Sequence, residues 1–269
     1  MYDQVLIQKF IEEYREKYQP DWYDSYWLYS YNIVRHYLRE YHPTVLNDFE
    51  TEFKILEPTK GFTSRFFPQF LSEEQRNLLK QQLQEIKKEH LERHELFEHG
   101  RLIVHDHEPF VEFQKSLEPL VSEWVGEEVE SSYNFLSLYN NLAVLPTHLD
   151  APLAKWTLDC CIEQSDVWPI YVSESVDWPE GDIRKQHVEN MMYKKHSLNE
   201  GDALLFCGSS QWHYRDRISG KGDRDHFCHL IFFHFIPKGS YSLVYPKRWA
   251  KHFSIPELSE LVTDLARSN

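Results

Sequence analysis

Two histidines and one aspartate in the second half of the chain have side chains that can share a metal ion. His148 and Asp150 form a His-x-Asp pair, and His213 follows further along the chain. Residues two positions apart on an extended segment point to the same side, so this imidazole and this carboxylate can act together. Imidazole and carboxylate groups are common ligands of divalent metals. These residue types and their spacing predict a mononuclear metal site.

The surroundings of the pair carry more information than the pair itself. Residues 90–92 and 187–189 also read His-x-Glu, and the first of these lies in a charged, helical stretch. His148 instead follows a strand-like run that ends at Pro146, and His213 stands just beyond a turn and another strand-like run. A His-x-Asp pair before a loop is, taken alone, more often a hydrogen-bonded turn. That is the structural alternative to the metal site.

Two imidazoles and one carboxylate on one side of a metal leave open positions, an arrangement that suits non-heme iron(II) oxygenases. Arg224 follows His213 and lies near the start of the next predicted strand. A guanidinium there can pair bidentately with the carboxylate of an acidic ligand. Arg215 and Arg217 compete for this role, and a salt-bridged surface position is the other interpretation of Arg224.

With these residues the sequence resembles the iron(II)/2-oxoglutarate-dependent oxygenase superfamily, in which a His-x-Asp pair, a distal His and a basic residue recur. The resemblance covers roughly residues 60–240 in layout. It implies that His148, Asp150 and His213 bind Fe(II), that Arg224 binds the far carboxylate of the cosubstrate 2-oxoglutarate, and that O2 is consumed.

Three further side chains are candidate contacts to 2-oxoglutarate. The superfamily often has Ser or Thr two positions after the basic residue, and this chain has His226 there. Tyr139 and Asn141 share a parity on the strand-like run ahead of the His-x-Asp pair. A purely structural role is the alternative for both of these residues.

The carboxylate at position 150 also bears on the reaction. In halogenases of the superfamily Gly or Ala replaces this ligand, so Asp150 favours hydroxylation of an unactivated C–H bond. The chain also resembles the standalone members that act on free amino acids, which makes a small molecule such as an amino acid the expected substrate. A peptide or carrier-bound substrate stays open. The rival functions are a cupin-like metalloprotein of other chemistry and a non-catalytic jelly-roll binding module.

The elements that must position these residues are mainly strands. From about Arg101 the chain becomes a series of short β-rich runs with turn signals at Gly181, Gly201 and Gly220. Many short strands at such spacing are typical of a double-stranded β-helix, or jelly roll. Strands distant in sequence can be neighbours in this fold, so His213 can return to His148. We therefore expect a mainly β protein with flanking helices.

Helical patterns dominate the two ends of the chain. Residues 1–20 have apolar side chains at helical spacing, and Asp24 or Ser25 caps a second helix that ends at Pro43. Residues 44–63 read as an irregular connection.

Two capping boxes mark later helices. Ser72 and Gln75 predict one helix start, and Ser254 with Glu257 predicts the start of a C-terminal helix.

One structural domain is the economical interpretation of this pattern. It consists of a helical extension over residues 1–57, packed on a jelly roll with its C-terminal helix over residues 58–269. Apolar stripes at helical spacing usually face their own core. A homodimer through the N-terminal helices is the alternative.

The overall composition limits the kinds of partner and the cellular location that we expect. With 43 acidic and 29 basic residues the net charge is −14, which disfavours a nucleic-acid substrate. No apolar run approaches the roughly 20 residues of a membrane span, and the N-terminus lacks a signal-peptide pattern. The four cysteines form no Cys-x-x-Cys pair and lie in apolar runs, as buried thiols do in a reducing compartment. We expect a soluble, cytoplasmic protein.

Overall fold

A computed structural model describes residues 4–17, 26–178, 188, 190–219 and 225–266 of the chain. Within these residues the strands form a six-stranded sheet in the order β1-β8-β5-β10-β3-β2 and a four-stranded sheet in the order β4-β9-β6-β7. Every strand pairing is antiparallel, which confirms the predicted jelly roll. The strands are β1 Arg65–Phe67, β2 Arg101–His105, β3 Val129–Tyr139, β4 Leu145–His148, β5 Trp156–Gln164, β6 Ile170–Ser175, β7 Tyr193–His196, β8 Ala203–Phe206, β9 Gln211–Arg215 and β10 Cys228–Pro237.

Strand β10 is the centre of the larger sheet, because it pairs with β3 on one side and β5 on the other. Alternate side chains of a strand face opposite sides of the sheet. Leu230 and Phe232 accordingly pack between the two sheets. Ile231 and Phe233 pack on the opposite face, in the cluster that includes helix side chains. The register also sets His234 beside Thr157 of β5, facing the space between the sheets.

Helices cover the sheets and fill both ends of the chain. The N-terminal helices share one aromatic cluster with the C-terminal segment. Within it, Trp27 lies edge-on to Trp249 with ring centroids 5.5 Å apart, and Phe53 meets the same indole at 5.0 Å. The helices are α1 Gln4–Lys17, α2 Tyr26–Tyr41, α3 Pro43–Phe53, α4 Glu73–Glu85, α5 Glu108–Val125, α6 Trp249–His252 and α7 Leu258–Ala266.

Two helices differ from the sequence-based expectation. The prediction of an irregular connection over residues 44–63 was wrong for the first part of that range, because α3 occupies Pro43–Phe53. Proline fits the first turn of a helix, where its missing N–H has no partner to lose, so Pro43 begins this helix as well as ending the one before it. Likewise, α5 interrupts the β-rich region and buries Phe110 and Val121 on one face. The proposed caps at residues 24 and 25 lie outside the described residues.

The two predicted capping boxes have different outcomes. Ser72 Oγ accepts the Gln75 N–H at 3.1 Å, and the Gln75 side chain accepts the Ser72 N–H at 2.9 Å, so the first box is confirmed. The second is wrong, because α7 begins only at Leu258. Ser254 has a φ of 57° and closes the preceding turn through the Lys251 carbonyl.

No helix among the described residues is long and apolar enough to cross a membrane. The four cysteines are free and buried.

The Ser72 cap gives a stability prediction. Ser72→Ala removes the acceptor of one orphan N–H at the start of α4, and the free energy of unfolding should fall by about 1 kcal/mol. Urea unfolding followed by circular dichroism measures this change. Ser254→Ala is the matched control, expected to change stability by less than about 0.5 kcal/mol because Ser254 caps no helix. Equal losses for the two variants would contradict the assignment.

Candidate metal centre

The pairing of β4 with β9 brings the two predicted histidine ligands together. His148 and His213 are direct partners across these strands, with ring centroids 4.2 Å apart. Strand β4 ends at His148, and the chain then turns so that the Asp150 N–H donates to the Gly208 carbonyl at 2.9 Å. This turn points the carboxylate toward both imidazoles.

The three side chains converge on one point. Asp150 Oδ1 lies 3.5 Å from His148 Nε2 and 3.7 Å from His213 Nε2. All three ligand atoms lie within 4.8 Å of one another. In the part of the chain that the structure describes, no second cluster of three histidine, cysteine or acidic side chains comes this close.

Backbone carbonyls fix the tautomers of both imidazoles. His148 Nδ1 lies 2.8 Å from the Pro146 carbonyl, and His213 Nδ1 lies 2.9 Å from the Gln211 carbonyl. A carbonyl can only accept, so each Nδ1 carries the proton and each Nε2 presents a lone pair toward Asp150. Metal-binding histidines in proteins are commonly held in this way. The donor set therefore fits a divalent metal.

The electrostatics of the cluster suit metal ligation. Burial raises the pKa of Asp150, but the nearby His213 and His148 outweigh burial and hold it well below its usual range. Burial, together with His148, lowers the pKa of His213 to about 4, so this ligand is neutral at physiological pH. Burial would also lower the pKa of His148, but the hydrogen bond and charge of Asp150 raise it overall. A bound metal ion would compete with a proton for His148 Nε2.

A glycine leaves room for the second oxygen of the carboxylate. A Cβ at Gly208 would stand 2.3 Å from Asp150 Oδ2, 2.6 Å from the Ala154 carbonyl oxygen and 2.8 Å from Thr157 Oγ1. Such distances are far inside van der Waals contact, so no larger residue fits without moving the carboxylate. Thr157 Oγ1 also lies 3.4 Å from Asp150 Oδ2, 3.3 Å from the Ala154 carbonyl oxygen and 3.1 Å from His234 Nδ1. Gly208 and Thr157 thus pack against the second oxygen of the carboxylate, and His234 contacts Thr157.

The cluster opens into a cavity of about 210 Å³ between the two sheets. Polar and charged side chains form much of its wall, and aromatic and aliphatic side chains form the rest. Besides the three cluster residues, the lining consists of Glu95, Arg101, His105, Tyr133, Phe135, Leu145, Thr157, Ile170, Phe206, Phe232 and His234.

The other predicted contacts to the cosubstrate are spread over the fold. Tyr139 is buried, and its hydroxyl accepts a hydrogen bond from Arg101 at 2.6 Å. Asn141 lies in an exposed turn, and His226 pairs with Asp166 at 3.1 Å. Neither Asn141 nor His226 lines the cavity, so the structure does not bring them to the metal cluster.

The three candidate anchoring arginines also differ in position. Arg224 lies outside the described residues. Arg215 is buried between the sheets and donates to Asp159 Oδ2 and to the Trp168 carbonyl, each at 2.5 Å. Arg217 donates to the surface carbonyl of Leu142 at 3.2 Å.

Sequence reasoning missed three residues of the site. Arg101 and His234 stand in apolar strands whose inward parity the sequence leaves undecided, so only the sheet register reveals that they face the cavity. In the sequence, Gly208 is recognisable only as part of a turn between two strands, and nothing there indicates that it contacts a metal ligand.

No protein-family model and no curated protein matches the sequence. Solved structures similar to part of the chain include the non-heme alpha ketoglutarate dependent epimerase SnoN from nogalamycin biosynthesis, at 12% identity and a TM-score of 0.48, over 73% of this chain and 87% of that one. HygX from Streptomyces hygroscopicus with iron bound is 11% identical with a TM-score of 0.48, over 65% and 82%. A prolyl-4-hydroxylase from Pseudomonas putida is 12% identical with a TM-score of 0.43, over 64% and 91%.

The tight fit at Gly208 predicts a metal-binding defect. Gly208→Ala pushes the new methyl group against the Asp150 carboxylate, and the affinity for a divalent metal should fall tenfold or more, in the range seen when groups that orient metal ligands are lost. Calorimetric titration with manganese(II) measures this. Gly61→Ala is the control: its φ of 77° strains an alanine, but a Cβ there meets nothing within 4 Å, so the metal affinity should not change. Unchanged metal affinity in Gly208→Ala would contradict the account.

Proposed function

We propose that this chain is an iron(II)- and 2-oxoglutarate-dependent oxygenase of a small molecule. The observation that carries the proposal is the convergence of His148, Asp150 and His213 at the wall of one cavity inside a jelly roll. Two imidazoles and one carboxylate on one side of an iron leave its other side free for ligands. In this protein the side of the cluster that would stay free faces the cavity.

The protein's own residues prepare this centre. The Pro146 and Gln211 carbonyls orient the imidazoles, and Gly208 and Thr157 set the second oxygen of Asp150. Iron and 2-oxoglutarate, when bound, supply the oxidising power: 2-oxoglutarate and O2 are consumed, succinate and CO2 leave, and one oxygen atom goes to the substrate.

Hydroxylation of an unactivated C–H bond is the proposed reaction. Asp150 supplies the carboxylate ligand that halogenases of this superfamily lack, so the third protein position on the metal is filled. The backbone hydrogen bond to Gly208 and the close packing of Gly208 against Asp150 Oδ2 both support a carboxylate that stays in place.

A small molecule, with free amino acids as the first class to test, is the proposed substrate. The cavity volume of about 210 Å³ supports a compact ligand rather than a polymer. A net charge of −14 argues against nucleic acid. The free, buried cysteines support a cytoplasmic location.

The domain division into residues 1–57 and 58–269 stays a prediction, as does a homodimer through the N-terminal helices. The apolar faces of α1 and α2 are buried in the aromatic cluster of their own chain, which favours packing over dimerisation.

Succinate formation tests the proposed reaction. With iron(II), 2-oxoglutarate and O2 the purified protein should release succinate, and a substrate should stimulate the release when amino acids and small metabolites are screened. Succinate is measured by mass spectrometry, and oxidised product by the gain of one oxygen atom. Metal binding without succinate release from any candidate would favour the cupin-like alternative.

Loss of the ligands distinguishes an enzyme from a binding module. His148→Ala and Asp150→Ala each remove one of three metal ligands, and the bound iron should fall from one equivalent to near zero. Metal analysis after gel filtration measures the stoichiometry. His229→Ala is the control, because His229 pairs with Glu163 at 2.9 Å outside the cavity lining. Folded wild-type protein that binds no iron would support the non-catalytic module.

A further inference from the structure

Among the residues that the structure describes, one permanent positive charge lines the cavity that holds the metal cluster. Arg101 of β2 points between the sheets with its side chain 11% exposed, and it is the one arginine or lysine among the lining residues. Arg215 is buried on Asp159, and Arg217 is bound to a surface carbonyl. Among these three arginines, only Arg101 faces the cavity.

Neighbouring groups fix the Arg101 guanidinium in place. Glu95 accepts from its Nε at 2.5 Å and also contacts Nη2, so this carboxylate occupies one edge of the planar group. Tyr139 Oη accepts from Nη1 at 2.6 Å. The Phe135 ring lies under the guanidinium, with its centroid 4.7 Å from Cζ. An arginine held this way loses little further freedom when it binds a ligand.

The edge of the guanidinium opposite Glu95 keeps hydrogen-bond capacity. An arginine has five N–H donors. On the Nη1–Nη2 edge the described contacts are the Tyr139 bond and a 3.4 Å contact from Nη1 to Ser137 Oγ, which is long for a hydrogen bond. A carboxylate bound at this edge can replace the weak Ser137 contact at Nη1 and accept a second hydrogen bond from the remaining N–H of Nη2. Paired N–H donors match the two oxygens of a carboxylate.

We propose that Arg101 binds the second carboxylate of the dicarboxylate cosubstrate whose 2-oxo acid end chelates the metal at His148, Asp150 and His213. The inference rests on the proposed function. It places one carboxylate of the ligand at the metal cluster and the other against the N–H donors of Arg101 that Glu95 leaves available, with the Phe135 and Phe232 side chains lining the space for its apolar middle. Glu95 and Tyr139 are positioning residues, since they act through Arg101.

Discrimination between two ligands tests the assignment. Protein loaded with manganese(II) is titrated calorimetrically with 2-oxoglutarate and with 2-oxovalerate, which has the same chain length but lacks the second carboxylate. Wild-type protein should bind 2-oxoglutarate more tightly. In Arg101→Gln this preference should shrink roughly tenfold or more, because a charge-assisted pair is lost, while 2-oxovalerate binding stays unchanged.

A matched variant separates the effect of losing the Arg101 guanidinium from the effect of losing its ion pair with Glu95. Arg101→Gln also breaks the contact with Glu95, and Glu95→Gln removes the same ion pair while leaving the arginine. Glu95→Gln should lose less of the preference for 2-oxoglutarate than Arg101→Gln, because the guanidinium remains although one group that positions it is gone. Arg101→Lys, which keeps a charge but not the planar fork, should fall between wild type and Arg101→Gln, and it serves if the glutamine variant does not fold.

The outcomes separate this inference from the proposed function. An unchanged preference in Arg101→Gln, or a loss of preference in Arg224→Gln instead, would overturn the role of Arg101 while leaving the oxygenase proposal intact. An equal loss in Glu95→Gln would assign the effect to the ion pair and also overturn it. If metal-loaded wild-type protein binds neither 2-oxo acid, the proposed function itself fails.

Discussion

The cross-strand pairing of His148 with His213 is the constraint on which the rest of the site depends. It joins the end of β4 to the middle of β9 and sets two imidazoles opposite each other at one register position, with their ring centroids 4.2 Å apart. The turn after β4 then brings Asp150 in, and the Asp150 N–H donates to the Gly208 carbonyl. Because Gly208 has no Cβ, the carboxylate fits behind the metal position. The strand pairing that forms the fold therefore also sets the geometry of the three metal ligands.

The sequence predicted the residues whose chemistry is local. A His-x-Asp pair on an extended segment needs no tertiary information to share a side, and the Ser72–Gln75 box is likewise a local pattern that the structure confirms. The jelly roll followed from the spacing of strands and turns. Where a local signal was ambiguous the prediction was wrong: Pro43 can end one helix and begin the next, and the sequence was interpreted only in the first sense.

Features set by sheet register could not be predicted in the same way. Arg101 belongs to an edge strand far from the metal ligands in sequence, and it reaches the cavity because β2 pairs with β3, which pairs with β10. His234 faces the cavity because of the parity of β10, which an apolar run on both faces conceals. The pairing of the strands therefore decides which charged side chains line the cavity: Asp150 at the metal cluster, and Arg101 with its partner Glu95 at another part of the wall.

The central claim is that this cluster binds iron(II) with open positions that a 2-oxo acid can occupy. Anaerobic titration with iron(II), followed by addition of 2-oxoglutarate, tests this most directly by visible absorption. The account predicts one equivalent of iron and a new charge-transfer band that appears only with the 2-oxo acid. Iron that binds at His148, Asp150 and His213 but gives no band with 2-oxoglutarate would contradict it.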